Sequence, residues 1–458
     1  MKVYTYINKT TLLLLITGAF SFVHAADEPW RIGNQVSLPE WFSISGNHRT
    51  RFENLDEQFR GPGSGGDQVL VLRTLVLAEL NFDKVQFGAE MEDSRSYLGD
   101  SGTPLSGSVV NPLELLQVYI NIPTSSLFSD GSKSFLRGGR MTMDVGSRRL
   151  VARNRFRNTI NAFNGADWQW SGTDNQQFRM FYTFPVQRRN SGDVLDNDAR
   201  FDKEHFDVRF WGLYYAPASL PWGDNGEIYL FGLDEDDVNG WATRNRELYT
   251  PGFRIYRKPA KNKFDYQIES VFQFGESRAS TAATDTTDLD HFAHFQHGEI
   301  GYTFDYAWSP QLILQYDYAS GDDNPADNDN NRFDTLFGAR RFDFGPTSIY
   351  GPFARANLST PGLRLKLKPA HNISSFISLR GFWLADDDDA WTTAGIRNAP
   401  GASESYIGTQ IEARLRWEVI PNNFRIETGA AHLFAGDLMD DAGKDDATYF
   451  YTQVVFWF

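Results

Sequence analysis

The chain has 458 residues, 41% of them hydrophobic and 22% charged, with no cysteine and a formal net charge of −15. The missing cysteines exclude a disulfide scaffold, a thiolate zinc site and a cysteine nucleophile. The acidic balance excludes a general nucleic-acid binder, which needs a basic surface. A mean hydropathy of −0.44 excludes a bundle of transmembrane helices but leaves a membrane β-barrel open, because only alternate strand residues need be apolar there.

In chain order, the first element is an export signal. Lys2 and Lys9 are basic, 12–22 is apolar, and Val23-His24-Ala25 makes a small-residue cleavage site before Ala26. The apolar run is too short for a spanning helix. Residues 1–25 therefore read as a cleaved secretory signal peptide, 26–40 as a polar N-terminal segment and 41–458 as one outer-membrane barrel domain. Period-2 alternation then defines eighteen candidate strands. They lie near 42–53, 67–82, 85–98, 114–122, 134–143, 160–170, 176–186, 206–217 and 226–236. The others lie near 246–258, 264–277, 291–305, 310–320, 356–368, 373–385, 403–419, 424–435 and 447–458. The last puts Phe450, Val454, Phe456 and Phe458 on one face and ends on Phe, which resembles the terminal strand of bacterial outer-membrane barrels. On that likeness Phe458 is the expected contact for the barrel-assembly machinery.

The connections alternate in length. Asp83-Lys84, 173–175, 261–263, 307–310, 370–372 and 421–423 are tight and rich in Asn, Asp, Pro and Lys, whereas 99–112, 187–205, 279–290 and 321–353 are long and polar. Short periplasmic turns on one rim and long external loops on the other define an up-and-down barrel, and an even strand number puts both termini in the periplasm. The expected fold is an all-β, transmembrane antiparallel barrel of about 18 strands in the bacterial outer membrane, surrounded by lipid and lipopolysaccharide. Acidic runs at 234–237, 322–331, 386–389 and 437–446 fall on external loops. Asp327-x-Asp329-x-Asn331 lacks the Gly and Glu of a calcium loop, so these runs read as solvated loops that carry much of the net charge.

On each strand the charged parity faces the lumen, since Lys or Arg facing mid-bilayer lipid costs ~2–4 kcal/mol. Leu363, Leu365 and Leu367 face lipid, and Arg364, Lys366 and Lys368 face inward. Gln410, Glu412, Arg414, Arg416 and Glu418 point in, as do Asn47, Arg49, Arg51, Glu53, Arg73, Gln117, Arg254, Glu269, Asp317, Arg425 and Glu427. Against the acidic background, 139–168 carries Arg140, Arg148, Arg149, Arg153, Arg155 and Arg157, with Asp144 and Asp167 as its only acids. Its middle is not strand-like and reads as the third external connection, folding into the barrel mouth. Guanidiniums confined in a partly dehydrated channel concentrate anions and pair with carboxylates through a planar fork. The competing reading is that they pair with lumen acids such as Glu90, Glu92 and Glu412 and brace the barrel. As a cluster they point to an anion-selective constriction, with Arg140, Arg148, Arg149, Arg153, Arg155, Arg157, Arg49, Arg73, Arg364, Lys366, Arg414 and Arg416 as the pathway residues. Trp168, Trp170, Trp211, Trp308, Trp383, Trp417 and Trp457 read as an interface girdle, while Trp241 and Trp391 stay open as platforms for sugar rings.

A barrel hydrolase would need Ser and His, or His with carboxylates, converging at one rim. His291 and His297 share a strand face roughly 20 Å apart at ~3.3 Å per residue, and His294 faces the other way. No H-E-x-x-H, Gly-x-Ser-x-Gly or phosphate-binding Gly loop is present in the sequence, so no enzyme activity and no cofactor are expected. A closed barrel whose loops act as a surface receptor is the third alternative.

Two stretches carry a family likeness. The first is Gly139-Arg140, Gly146-Ser147-Arg148-Arg149-Leu150-Val151, Phe156-Arg157-Asn158-Thr159 and Phe163-Asn164-Gly165, with Asn164 in place of an Asp. The second is Tyr318-Ala319-Ser320-Gly321-Asp322-Asp323-Asn324-Pro325 followed by Phe333-Asp334-Thr335-Leu336-Phe337. The chain resembles the alginate export family of outer-membrane barrels. The resemblance implies a monomeric barrel with an arginine-lined channel for an anionic polysaccharide, resting on Arg140, Arg148, Arg149 and Arg157. It implies periplasmic export partners as well. The family's alginate exporter has a long eighth periplasmic turn, where this chain has only Pro421-Asn422-Asn423.

Overall fold

The computed structural model describes residues 29–458 except 61–62, 101, 126–130, 189–195 and 239. The signal peptide expected at 1–25 lies outside the described residues. The alternating segments become strands of 9 to 16 residues, long enough to cross a bilayer when tilted. They are β1 Phe42–Asp56, β2 Asp67–Phe82, β3 Val85–Tyr97, β4 Asn111–Pro123, β5 Lys133–Met141 and β6 Phe163–Ser171. Next come β7 Gln177–Gln187, β8 Val208–Ala216, β9 Asn225–Glu235, β10 Glu247–Arg257, β11 Lys263–Ser277 and β12 Leu289–Thr303. The last six are β13 Gln311–Ala319, β14 Leu358–Ala370, β15 Ile373–Trp383, β16 Tyr406–Ile420, β17 Phe424–Ala435 and β18 Ala447–Trp457. Each pairs antiparallel with its successor, and β18 pairs with β1, so the eighteen strands close into a barrel with no free edge.

The face each residue takes follows from the alternation. On β18 burial alternates along the strand, with Tyr449 and Tyr451 fully buried inside while Phe450, Val454 and Phe456 are exposed outside. On β14, Leu363 is exposed and Arg364 buried. Asn175, Asn262 and Asn422 hold the tight turns in left-handed conformations, with φ of 66°, 56° and 62°, which Asn tolerates better than other side chains. The chain end is tied in. Phe458 exchanges backbone hydrogen bonds with Gly46, and Asn423 binds both Trp30 and Trp457 through its side chain.

The barrel is not an empty tube. The connection 142–162 between β5 and β6 (L3) and the connection 320–357 between β13 and β14 (L7) fold inward. Two large apolar clusters and a small one around Leu75, Leu116 and Ile160 form among the described residues. One of the large two joins Met141, Met143, Leu150 and Val151 to Phe163, Phe210, Phe231 and Phe333. The other joins Phe344, Tyr350 and Phe353 of L7 to Phe59 and Trp391. Trp391 is therefore no platform for a solute: it is packed between Phe59 and Phe353, at 5.3 and 5.9 Å, and donates Nε1–H to the Pro352 carbonyl at 2.7 Å. Nor are the acidic runs all solvated. Asp389 is fully buried and paired with Arg332, which ties L7 to the loop 384–405.

Candidate functional site

L3 and L7 come from different parts of the wall and meet inside it. Val151 and Phe337 form a parallel bridge. Around it Phe337 N–H donates to the Leu150 carbonyl at 2.9 Å, Ala152 N–H to the Phe337 carbonyl at 3.2 Å, and Ala339 N–H to the Arg148 carbonyl at 2.9 Å. The approach requires Gly338, where a Cβ would stand 1.7 Å from the Arg149 carbonyl oxygen. Two loops thus make one crossbar.

Buried charge anchors it. Arg149 donates to Glu269 of β11 at 2.6 Å, to both oxygens of Asp343 at 3.0 Å, and meets His297 Nε2 at 2.9 Å. Asp343 lies on the short helix α1 (Arg341–Phe344) of L7 and also binds Arg355. Burial alone would push the Asp343 carboxyl up, but Arg149 and Arg355, with His297, hold it well below the usual carboxylate range. Asp334 is held below that range in the same way: burial opposes ionisation, and Arg246 and Arg244 at 2.7 and 3.0 Å overcome it. On the opposite wall Arg49 donates to the carbonyls of Arg155, Phe156 and Arg157 and to the Asn158 side chain at 2.8–3.1 Å, and Arg73 to the Arg157 carbonyl at 3.0 Å.

Under the crossbar, toward the short-turn rim, lies a cavity of about 490 Å³. Nine arginines line it against one carboxylate, Glu427. From the wall come Arg49, Arg73, Arg414, Arg416 and Arg425; from L3 come Arg148, Arg153 and Arg155; from L7 comes Arg341. Most have partners. Arg153 binds Glu90 at 2.6 Å, Arg155 binds Asp144 at 2.7 Å and Arg341 binds Glu412 at 2.7 Å. Arg416 binds Glu427 at 2.6 Å and Arg425 binds Glu418 at 2.5 Å.

The other pathway residues expected from the sequence stand elsewhere. Arg140 is tied to Glu114 at 2.5 Å, Arg149 is enclosed in the anchor, and Arg364 donates to the Phe342 carbonyl at 3.0 Å. Lys366 is exposed toward the short-turn end of β14. Arg157 is half-buried with no carboxylate partner among the described residues, and burial beside Arg188 and Arg340 pulls its guanidinium down to about 9. The L7 arginines 340, 341 and 355 escaped the sequence reading. Their signal was the Arg340-Arg341 doublet, which repeats Arg148-Arg149 in the longest connection. Trp457 is no girdle residue: it faces the cavity, with the Arg425 guanidinium 4.7 Å from its ring centroid. The histidines split as alternation requires. His291 and His297 are buried inside, against Ser277 and Asp317, and His294 stacks on Tyr318 at 5.2 Å.

A model described as alginate export matches residues 40–453. The chain belongs to the alginate export family. Its class is thereby that of outer-membrane channels. No curated protein matches the chain at a significant level. Among solved structures it is similar to Pseudomonas aeruginosa OccK9 (OpdG), at 11% identity and a TM-score of 0.60 over 91% of this chain and 98% of that one. It is similar to Acinetobacter baumannii OccAB3, at 10% identity and 0.59 over 91% and 99%. It is similar too to Pseudomonas aeruginosa OpdK, solved with vanillate, at 11% and 0.56 over 91% and 99%. These identities speak to the fold alone. Within it, the two stretches of family likeness fall on L3 and the first part of L7, and they hold Arg149, Val151, Asp334 and Phe337 of the crossbar.

Proposed function

We propose that the protein is a passive outer-membrane channel for carboxylate-bearing solutes of the sugar-acid type, with alginate-like chains as one member of that class. The observation that carries this reading is the cavity in which nine arginines face a single glutamate. Such a charge balance in a confined space draws anions in and repels cations. Residues 1–25 act as the export signal, Phe458 as the handle for barrel assembly, and the barrel sits in lipid and lipopolysaccharide as a monomer.

A second reading, uptake of small organic anions, is favoured by one feature. The crossbar is fixed at both ends and stands over a cavity of about 490 Å³, in the range that encloses small molecules. OpdK, a barrel of similar fold, was solved with vanillate, itself a small carboxylate, and that supports this reading.

Reversal potentials in a planar bilayer with a salt gradient test the shared claim. Anion preference is expected, and cation preference or absent conductance overturns it. Current block by uronate oligomers against simple organic acids separates the two readings. Export of a polymer requires block that strengthens with oligomer length, whereas small-anion uptake requires block that peaks at one or two units.

A further inference from the structure

Nine guanidiniums line the cavity under the crossbar, and seven of them are engaged by carboxylates, side-chain amides or backbone carbonyls. Two are not. Among the described residues, the Arg148 and Arg414 side chains have no hydrogen bond and no ion pair. Each lies instead against one aromatic ring, Arg148 with its guanidinium carbon 5.3 Å from the Phe342 centroid and Arg414 at 4.7 Å from that of Phe376. A ring behind a guanidinium holds its plane and leaves the N–H edge free, where a carboxylate binds through two parallel hydrogen bonds.

A second observation concerns Arg148 alone. Its φ is +69°, a left-handed conformation in which Gly or Asn would be relaxed and a long side chain is uncommon. The turn is fixed from both sides: Arg148 N–H donates to the Val145 carbonyl, and its own carbonyl accepts from Ala339. The crossbar therefore aims an arginine into the cavity from a backbone position that local preference would give to another residue. Arg414 reaches the same cavity from β16 of the wall.

Resting on the anion-channel reading, we infer that the cavity is a two-point binding site for a solute carrying two anionic groups, one held by Arg148 and the other by Arg414. The ligand class is dianions that fit the cavity, such as dicarboxylic acids or a pair of linked sugar acids. Monoanions use only one of the two forks and pass with weaker retention. Hydrogen bonds to charged groups contribute ~1.5–3 kcal/mol each, so loss of one fork corresponds to roughly tenfold to a hundredfold in affinity.

Single-channel recordings of the full chain in a planar bilayer test this with four blockers: lactate, succinate, galacturonate and its dimer. Each dianion is expected to reduce the current at a concentration about tenfold or more below that of its monoanion. Arg148→Gln and Arg414→Gln should each bring the dianion down to the monoanion level, and the double variant, with neither fork left, should weaken the block by both. Heat-modifiable electrophoresis checks that each variant is folded. Arg148→Lys and Arg414→Lys keep the charge and remove the fork, and give the same reading should a Gln variant fail to assemble. Equal block by mono- and dianions in a channel that remains anion-selective overturns the two-point site and leaves the channel reading standing. So does a dianion preference that survives both substitutions. Cation selectivity overturns the channel reading itself.

Discussion

Arg149→Met is expected to unlatch the crossbar while leaving the barrel folded. The Arg149 side chain is 3% exposed and joins L3 to L7 through Asp343 and to the wall through Glu269. Removing one partner of a buried ion pair costs ~3–5 kcal/mol, because the remaining charge is left uncompensated. Here the loss is cushioned. Asp343 keeps Arg355, and Glu269 keeps the Tyr229 and Ser147 hydroxyls, each at 2.8 Å. The lower end, about 3 kcal/mol, is therefore the working figure, and it moves the balance between latched and unlatched crossbar by roughly two orders of magnitude at ~1.4 kcal/mol per decade. None of the pairings between neighbouring wall strands passes through Arg149, so heat-modifiable migration should be retained. Single-channel recording reads the effect as a larger mean conductance with more open-channel noise. A variant whose conductance and noise match the parent's would refute the claim that this ion cluster holds the two loops across the lumen.

Three further outcomes follow from the same geometry. Gly338→Ala places a Cβ 1.7 Å from the Arg149 carbonyl oxygen. An overpacking cost of ~1–3 kcal/mol should part the loops and raise conductance, whereas Gly298→Ala, whose Cβ meets nothing within 4 Å, should behave as the parent in the same recordings. Asp144→Asn removes the partner of Arg155, in a pair whose side chains are 26% and 61% exposed. Stability should change by less than ~1 kcal/mol, while the anion-to-cation permeability ratio from reversal potentials rises. The third outcome is pH dependence. Because Asp343 is held below its ordinary pKa, its contribution to the latch is complete above about pH 4 and is lost only as pH falls through the depressed value. Conductance should then be flat from about pH 8 to pH 4, and opening well above pH 4 contradicts the pairing.

The wall was legible because lipid imposes a rule on every strand residue. Alternation placed Leu363 outside and Arg364 inside, and did the same for β18 and for β16 between Gln410 and Leu415, with no knowledge of neighbours. Trp457 shows what happens when residue type is allowed to overrule that rule. Trp is common at membrane interfaces, and on that ground it reads as girdle, yet the parity that turns Phe456 outward turns Trp457 into the cavity. Asp389 shows the opposite limit. Four consecutive aspartates look solvated, and nothing local announces that Arg332 reaches the last of them.

The arginine cluster was legible as a cluster, not as a set of roles. Parity says which face a wall residue takes, but L3 and L7 have no parity, and their contacts are set by residues far away in sequence. Arg149 and Asp343 lie 194 positions apart, and no spacing rule connects them. The stretches that carry the family likeness are nonetheless these two loops, and packing gives a reason. Within those stretches Phe333 and Phe337 fill the interior, and Asp334 and Arg149 fix the ends of the crossbar. Each of these residues makes one specific contact inside the wall, so the motif is readable locally in sequence even though its partner is not. The same logic inverts the simplest picture of the lumen. A row of arginines does not make a row of free charges, since Arg140, Arg149, Arg153 and Arg155 all have carboxylate partners. Selectivity then depends on which guanidiniums the crossbar leaves unpaired, and a change far from the cavity that shifts L7 against L3 should alter it as surely as a change in the lining.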